Sequence, residues 1–200
     1  MRAITVLFSS LLVTAETAMS LEEPEFDVLS RKTGYQVRQY PAYLVAEVDV
    51  KGTLRSTGNQ AFQMLAGYIF GNNEAEQKMA MTAPVTSTKV VDEVNPQATD
   101  ACTYAFVMER AFTMETLPSP DDPRVTLREM KPRTMAVRSY SGRWTEQRWQ
   151  DQTETLLDAL RADGLEPVGR PIFARYDPPF MPWFLRRNEV MVEIEDHATR

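Results

Sequence analysis

Displaced by 90 residues, the sequence partly repeats itself: Val37-Arg38-Gln39-Tyr40 falls on Leu127-Arg128-Glu129-Met130, Ala46 on Ala136 and Gly52 on Gly142. The identities are few, but the hydrophobic patterns around them run in the same order, and an internal period of this kind dictates the whole architecture. Leu44, Ala46, Val48 and Val50 alternate with Tyr43, Val45, Glu47 and Asp49, the two-residue period of a strand. Phe62, Leu65, Ala66 and Ile69 then recur at helical spacing, and Gly71 can close that helix in the left-handed conformation. In the second half Met135 to Tyr140 reads as the strand, Trp149, Thr153, Leu156, Leu157 and Leu160 as the helical stripe, and Gly164 as its stop. Thr103 to Met108 and Glu189 to Ile194 alternate as later strands. The copies span about 26–115 and 123–196, divided by the proline-rich and acidic stretch 116–124, whose preset backbone angles favour an exposed connection. Two helical stripes need burial and sheet faces are the available partner, so the expectation is an α+β fold built on a duplicated strand-helix-strand-strand unit.

With 200 residues, 43% of them hydrophobic and 25% charged, residues 21–200 suffice for one domain with a true core. The 28 acidic and 22 basic residues give a formal charge of -6, which disfavours nucleic acid or an anionic bilayer as partner. Cys102 is the single cysteine and His197 the single histidine. One chain therefore cannot build an intrachain disulfide, and zinc cages, Ser-His-Asp triads and Cys-His catalysis are argued against. Residues 1–20 read as an export signal: Arg2 begins it, Ala3 to Val13 form a mostly apolar run, and cleavage points follow Ala15 or Ser20. That run is shorter than the ~20 apolar residues a spanning helix needs, so the mature chain is expected without stable membrane insertion. The expected location is exported, periplasmic in a bacterium and plastid in an alga or plant.

The informative segments lie outside the two helices. Lys78-Met79-Ala80-Met81-Thr82-Ala83-Pro84-Val85-Thr86 follows the first helix, and Ala174-Arg175-Tyr176-Asp177-Pro178-Pro179-Phe180-Met181-Pro182-Trp183-Phe184-Leu185-Arg186-Arg187-Asn188-Glu189-Val190 leads into the last strand. Together with Tyr35-Gln36-Val37-Arg38-Gln39-Tyr40 and Gly67-Tyr68-Ile69-Phe70-Gly71-Asn72-Asn73, these closely resemble the SOUL heme-binding protein family, from about Phe26 to Glu195. The resemblance implies two pseudo-repeats forming a distorted antiparallel β-barrel with two helices packed on it, and noncovalent binding of heme or another porphyrin. It places the ligand against the first helix and the loop before the last strand. On this chain the implied lining is Phe62, Leu65 and Ile69 from the helix and Phe180, Met181, Trp183 and Phe184 from the loop.

A flat apolar macrocycle gains by leaving water, and aromatic side chains offer faces for stacking. Burying ~400 Å² of apolar surface supplies ~10 kcal/mol before association costs, enough for micromolar binding with no iron ligand. Met79, Met81 and Met181 are weak axial-ligand candidates, since methionine more often fills core gaps. Tyr40 and Tyr68 are phenolate candidates with no supporting spacing. Arg186 and Arg187 can meet the ligand's propionates. Gln39 stands where the family's histidine-ligated member carries its histidine, and Asn59 and Met181 replace cationic positions near the ligand. Both departures weaken iron ligation and propionate pairing as the family uses them.

Glu189 supports a rival. The duplicated fold also resembles GyrI-like effector-binding domains, in which a buried late-strand glutamate neutralises a hydrophobic cation. Such a carboxylate needs a partner, and Arg38, Arg186 or Arg187 can supply it. Hydrolysis using Glu189 as acid or base is a further form of that rival, although no nucleophile stands beside a base, and the chain is read as a binding protein and not an enzyme. The third reading is an interaction module whose 180–185 loop docks a protein or membrane surface.

Overall fold

A computed structural model describes residues 21–90 and 101–195, so the leader assigned to 1–20 and His197 lie outside the described residues. Among the described residues the first half contains β1 (Asp27–Lys32), β2 (Tyr35–Tyr40), β3 (Tyr43–Lys51), α1 (Leu54–Ile69), β4 (Val85–Val90) and β5 (Ala101–Val107). The second contains β6 (Thr126–Met130), β7 (Arg133–Tyr140), α2 (Glu146–Ala162), β8 (Ile172–Arg175) and β9 (Asn188–Glu193). Every pairing between these strands is antiparallel, and they form one sheet in the order β1-β2-β7-β9-β8-β4-β5-β3-β6.

That order reads the same from either end once β1 is set aside, because β2, β7, β9 and β8 match β6, β3, β5 and β4 about a pseudo-twofold between β8 and β4. The duplicated unit is present, with an extra strand, β2 or β6, opening each copy. These opening strands are exchanged: Val37 on β2 faces Ala136 on β7, and Leu127 on β6 faces Ala46 on β3. The residues aligned by the internal repeat are therefore cross-paired between halves. The outermost strands β1 and β6 each have one neighbour, so the expected barrel is realised as a curled half-barrel with open edges.

Local chemistry fixes both helices alike. The Thr53 hydroxyl accepts from the Ser56 amide and the Thr145 hydroxyl from the Arg148 amide, N-caps worth ~1 kcal/mol each. Gly52 and Gly142 precede them at φ of 129° and 133°, a region that side-chain-bearing residues rarely adopt, which explains why the repeat retains both glycines. Ala61, Leu65 and Ile69 of α1 pack on Ala46, Val48 and Val50 of β3 and on Tyr104 and Phe106 of β5. Trp149, Leu156 and Leu160 of α2 pack on Val37, Ala136, Phe173, Val190 and Val192. The proline-rich connection is less free than its composition suggests: Leu117 is buried in the first core, and the Tyr68 hydroxyl donates to the Pro118 carbonyl. The opposite face of the sheet buries Tyr40, Met135, Val137, Ala174 and Met191, with Arg38 and Glu189 among them.

Candidate functional site

Between β8 and β9 the chain runs from Tyr176 to Arg187 through Pro178, Pro179 and Pro182. These prolines remove amide donors and prevent the strands from simply extending, leaving one 3₁₀ turn at Trp183–Leu185. Arg186 braces the loop from within, its Nε donating to the Met181 carbonyl at 2.8 Å and its Nη2 to the Pro179 carbonyl at 2.5 Å. The consequence is outward projection of the large apolar side chains. Phe180 is 85% exposed, and Trp183, Phe184 and Leu185 are 48%, 58% and 62% exposed. The Trp183 and Phe184 rings meet edge to face at 5.6 Å.

Cations interleave with aromatic rings beside this loop. The Arg143 guanidinium lies 5.7 Å from the Trp183 ring, and Arg186 lies 4.3 Å from Trp144. On the other side of the contact chain Arg175 lies 5.6 Å from Trp144 and 5.9 Å from Tyr104, whose hydroxyl bonds Thr57 in the first turn of α1. Among the described residues Arg143, Arg175 and Arg186 form no ion pair, in a chain with more acids than bases. Arg187 differs. It pairs with Glu23 at 2.5 Å and stacks on Tyr176 at 3.4 Å, so its charge is spent in the fold and only Arg186 of the two expected arginines is uncompensated.

The helix residues expected to line a groove divide by burial. Leu65 and Ile69 are 0% and 2% exposed and face the sheet, because they form the centre of the packing stripe of α1. Neither reaches a surface groove. Phe62, at the stripe's edge, is half-exposed and packs edge-on against Phe106 at 5.5 Å. Met79 is buried in the same core and Met81 packs against it, whereas Met181 sits in the distant loop, so the three methionines are not brought together as iron ligands. Tyr68 is buried and donates to Pro118, and Tyr40 accepts from Arg38, which leaves neither phenol open to iron. Gln39 accepts from the Thr134 hydroxyl at 2.6 Å. Among the described residues no three His, Cys, Asp or Glu side chains are grouped to hold a metal ion, and no helix is long and apolar enough to cross a membrane.

Glu189 is already neutralised. Its carboxylate accepts from Arg38 Nη1 and Nη2 at 3.0 and 3.1 Å, from Ser139 Oγ at 2.9 Å and from the Tyr176 hydroxyl at 2.7 Å. Burial pulls the Arg38 pKa down, but the hydrogen bonds and charge of Glu189 outweigh it and hold the pKa above the ordinary arginine value. Burial, then the Glu189 charge, pushes the Tyr176 phenol up. Phe26 covers the pair, with its ring 4.2 Å from the Arg38 guanidinium. A carboxylate with four donors has no lone pair in need of a cationic ligand.

The concavity beside α1, of about 290 Å³, is polar, lined by residues such as Gln60, Gln63, Asn72 and Arg124. A larger one of about 470 Å³ lies between the N-terminal segment and the 109–115 loop, but Glu22, Glu23, Glu25, Glu109, Glu115 and Glu129 line it against the single Arg110. Six carboxylates there repel an anionic ligand. Cationic charge and exposed apolar surface coincide only at the 178–187 loop among these places.

The profile of the SOUL heme-binding proteins matches residues 21–193. The chain belongs to the SOUL heme-binding protein family. Heme-binding protein 2 of Mus musculus is 30% identical over 187 residues, covering 87% of this chain and 88% of that protein. Heme-binding protein 2 of Homo sapiens is 33% identical over 170 residues, covering 80% and 82%. A hydrolase from Listeria innocua superposes with a TM-score of 0.60 at 13% identity over 84% of this chain and 94% of that one, a likeness of fold alone. SOUL membership supports heme binding in general. What the sequence missed in this SOUL chain are Arg143, Trp144 and Arg175, which lie outside the loop or at its edge; the Trp144 and Arg175 side chains gave no periodic signal, and only the fold brings them beside Arg186.

Proposed function

We propose that this SOUL protein binds heme or a related tetrapyrrole noncovalently on the apolar surface of the 178–187 loop, for sequestration or transport and without an iron-ligating side chain. One observation carries the reading: Phe180, Trp183, Phe184 and Leu185 stand exposed beside Arg143 and Arg186, whose charges have no carboxylate partner among the described residues. A tetrapyrrole with acidic side arms is the complement of such a surface, apolar in its plane and anionic at its rim. Exposed apolar clusters of this size mark recognition sites because leaving them in water is costly. Stacking on Phe180 and Trp183 supplies the affinity, and the arginines orient the acid groups more than they hold them.

The GyrI-like alternative loses its counter-ion, since Glu189 is occupied by Arg38, Ser139 and Tyr176. Docking of a macromolecule by the same loop survives as the competing outcome. Residues 1–20 belong to this proposal as an export signal, and fusing them to a secretion reporter tests that part. Soret titration of hemin into the wild-type chain and into Phe180→Ala and Trp183→Ala tests the site. The expected result is at least tenfold weaker binding in each variant with unchanged folding, and hemin uptake indifferent to both substitutions would overturn it.

A further inference from the structure

Lys89 and Arg175 are pseudo-equivalent. Ser87 pairs with Phe173 across the axis, and Lys89 faces Cys102 on β5 as Arg175 faces Asn188 on β9. Each cation lies against an aromatic ring near the start of a helix. Lys89 is 5.4 Å from the Trp149 ring and pairs with Glu146, the first residue of α2. Arg175 lies 5.9 Å from the ring of Tyr104, whose hydroxyl donates to the carbonyl of Leu54, the first residue of α1. Leu54 stands where Glu146 stands after the cap, and α1 has no acidic residue in its first turn. Among the described residues, one half therefore closes its cation with a carboxylate and the other does not.

Two orphaned groups mark the open position. Among the described residues, Ser87 is 1% exposed with a hydroxyl that bonds nothing, and the enclosed Nε of Arg175 has no acceptor. Tyr104 and Phe173 are the cross-strand neighbours of Ser87 on its two sides, and the Arg175 guanidinium lies over both rings, at 5.9 and 5.5 Å. Hydroxyl and guanidinium thus adjoin the same two rings, and both have donors to offer. Burial pulls the Arg175 pKa below the ordinary arginine value, with only Tyr104 and Tyr140 opposing it, as expected of a cation lacking its counter-ion. We propose that Arg175 and Ser87 form a carboxylate-binding site, in the slot that Glu146 fills in the other half. Trp144 lies against both Arg175 and Arg186, so the carboxylate is either an arm of the ligand on the loop, a source that rests on the tetrapyrrole reading, or a free small acid.

The test uses the full chain. Sodium acetate is compared with sodium chloride at equal ionic strength by thermal unfolding, and protoporphyrin is compared with its dimethyl ester by tryptophan quenching, in wild type, Arg175→Gln and Leu54→Glu. A free acid is bound if acetate raises the unfolding temperature of wild type but of neither variant. An arm is bound if the diacid outcompetes its ester about tenfold in wild type and loses that advantage in both variants, the size expected of one charge-assisted contact. Leu54→Glu, which supplies the missing carboxylate internally, is expected to melt above wild type. Absence of both effects, or their persistence in Arg175→Gln, overturns the site. Trp183→Ala separates the two readings, because it weakens porphyrin uptake at least tenfold while leaving any acetate response intact.

Discussion

Arg38 on β2 grips Glu189 on β9 through two hydrogen bonds, of 3.0 and 3.1 Å, across the intervening strand β7. The pair ties the opening strand of the first half to the closing strand of the second. Both side chains are almost fully buried, at 7% and 2% exposure, so each is tolerated only because the other is present.

Removing one partner alone strands a buried charge. Arg38→Met is expected to lose ~3–5 kcal/mol of unfolding free energy, measured by urea denaturation. The double variant Arg38→Met with Glu189→Gln should recover a large part of that loss, since no net charge then remains inside. If the single variant is as stable as wild type, the pair is not the lock described.

The buried apolar residues of α1 and the exposed ones of the 178–187 loop should separate in their effects. Leu65→Ala empties a fully buried position and is expected to cost ~2–5 kcal/mol without changing hemin affinity of the folded fraction. Phe180→Ala removes a side chain that is mostly in water and should change stability by less than ~0.5 kcal/mol while weakening hemin. Denaturant curves paired with Soret titrations check both, and a reversed pattern would place the ligand against the helix core.

Buried phenols make the fold sensitive to alkali. Burial pushes Tyr68 up to about 12, and burial also raises Tyr40 to about 12 against the lowering effect of Arg38. Their ordinary value is ~10, so the folded state holds these protons more tightly than the unfolded state. Stability is therefore intact below about pH 10 and falls as pH rises toward about 12. Phenolate absorbance and circular dichroism followed together should change in one transition above pH 10. Phenolate formation well before loss of structure would mean that these hydroxyls are open to solvent.

The repeat was readable because Gly52 and Gly142 occupy the same positive-φ turn and Ala46 and Ala136 the same cross-paired site. The helices were readable for a similar reason, since a cap, a periodic stripe and a stop lie close together in the chain. Strands β1, β2, β4, β6 and β8 were not, because short edge or half-polar strands such as Thr126–Met130 acquire their identity from neighbours far away in sequence. The apolar loop announced itself by composition. Its depth did not: the stripe Phe62, Leu65 and Ile69 looks continuous in sequence, yet the packing of α1 hides Leu65 and Ile69 and leaves only Phe62 half-exposed. Arg175 was hidden for another reason, as its lack of a carboxylate partner among the described residues is recognisable only from the fold.

Parallel titration of the wild-type chain with hemin and with iron-free protoporphyrin, read by quenching of tryptophan fluorescence, probes the proposed mode of recognition most directly. Dissociation constants within about threefold of each other are predicted, because stacking and acid-group orientation are common to both and a factor of three is under 1 kcal/mol. Tight uptake of hemin with no uptake of the iron-free ring would contradict the account and require a ligand to iron.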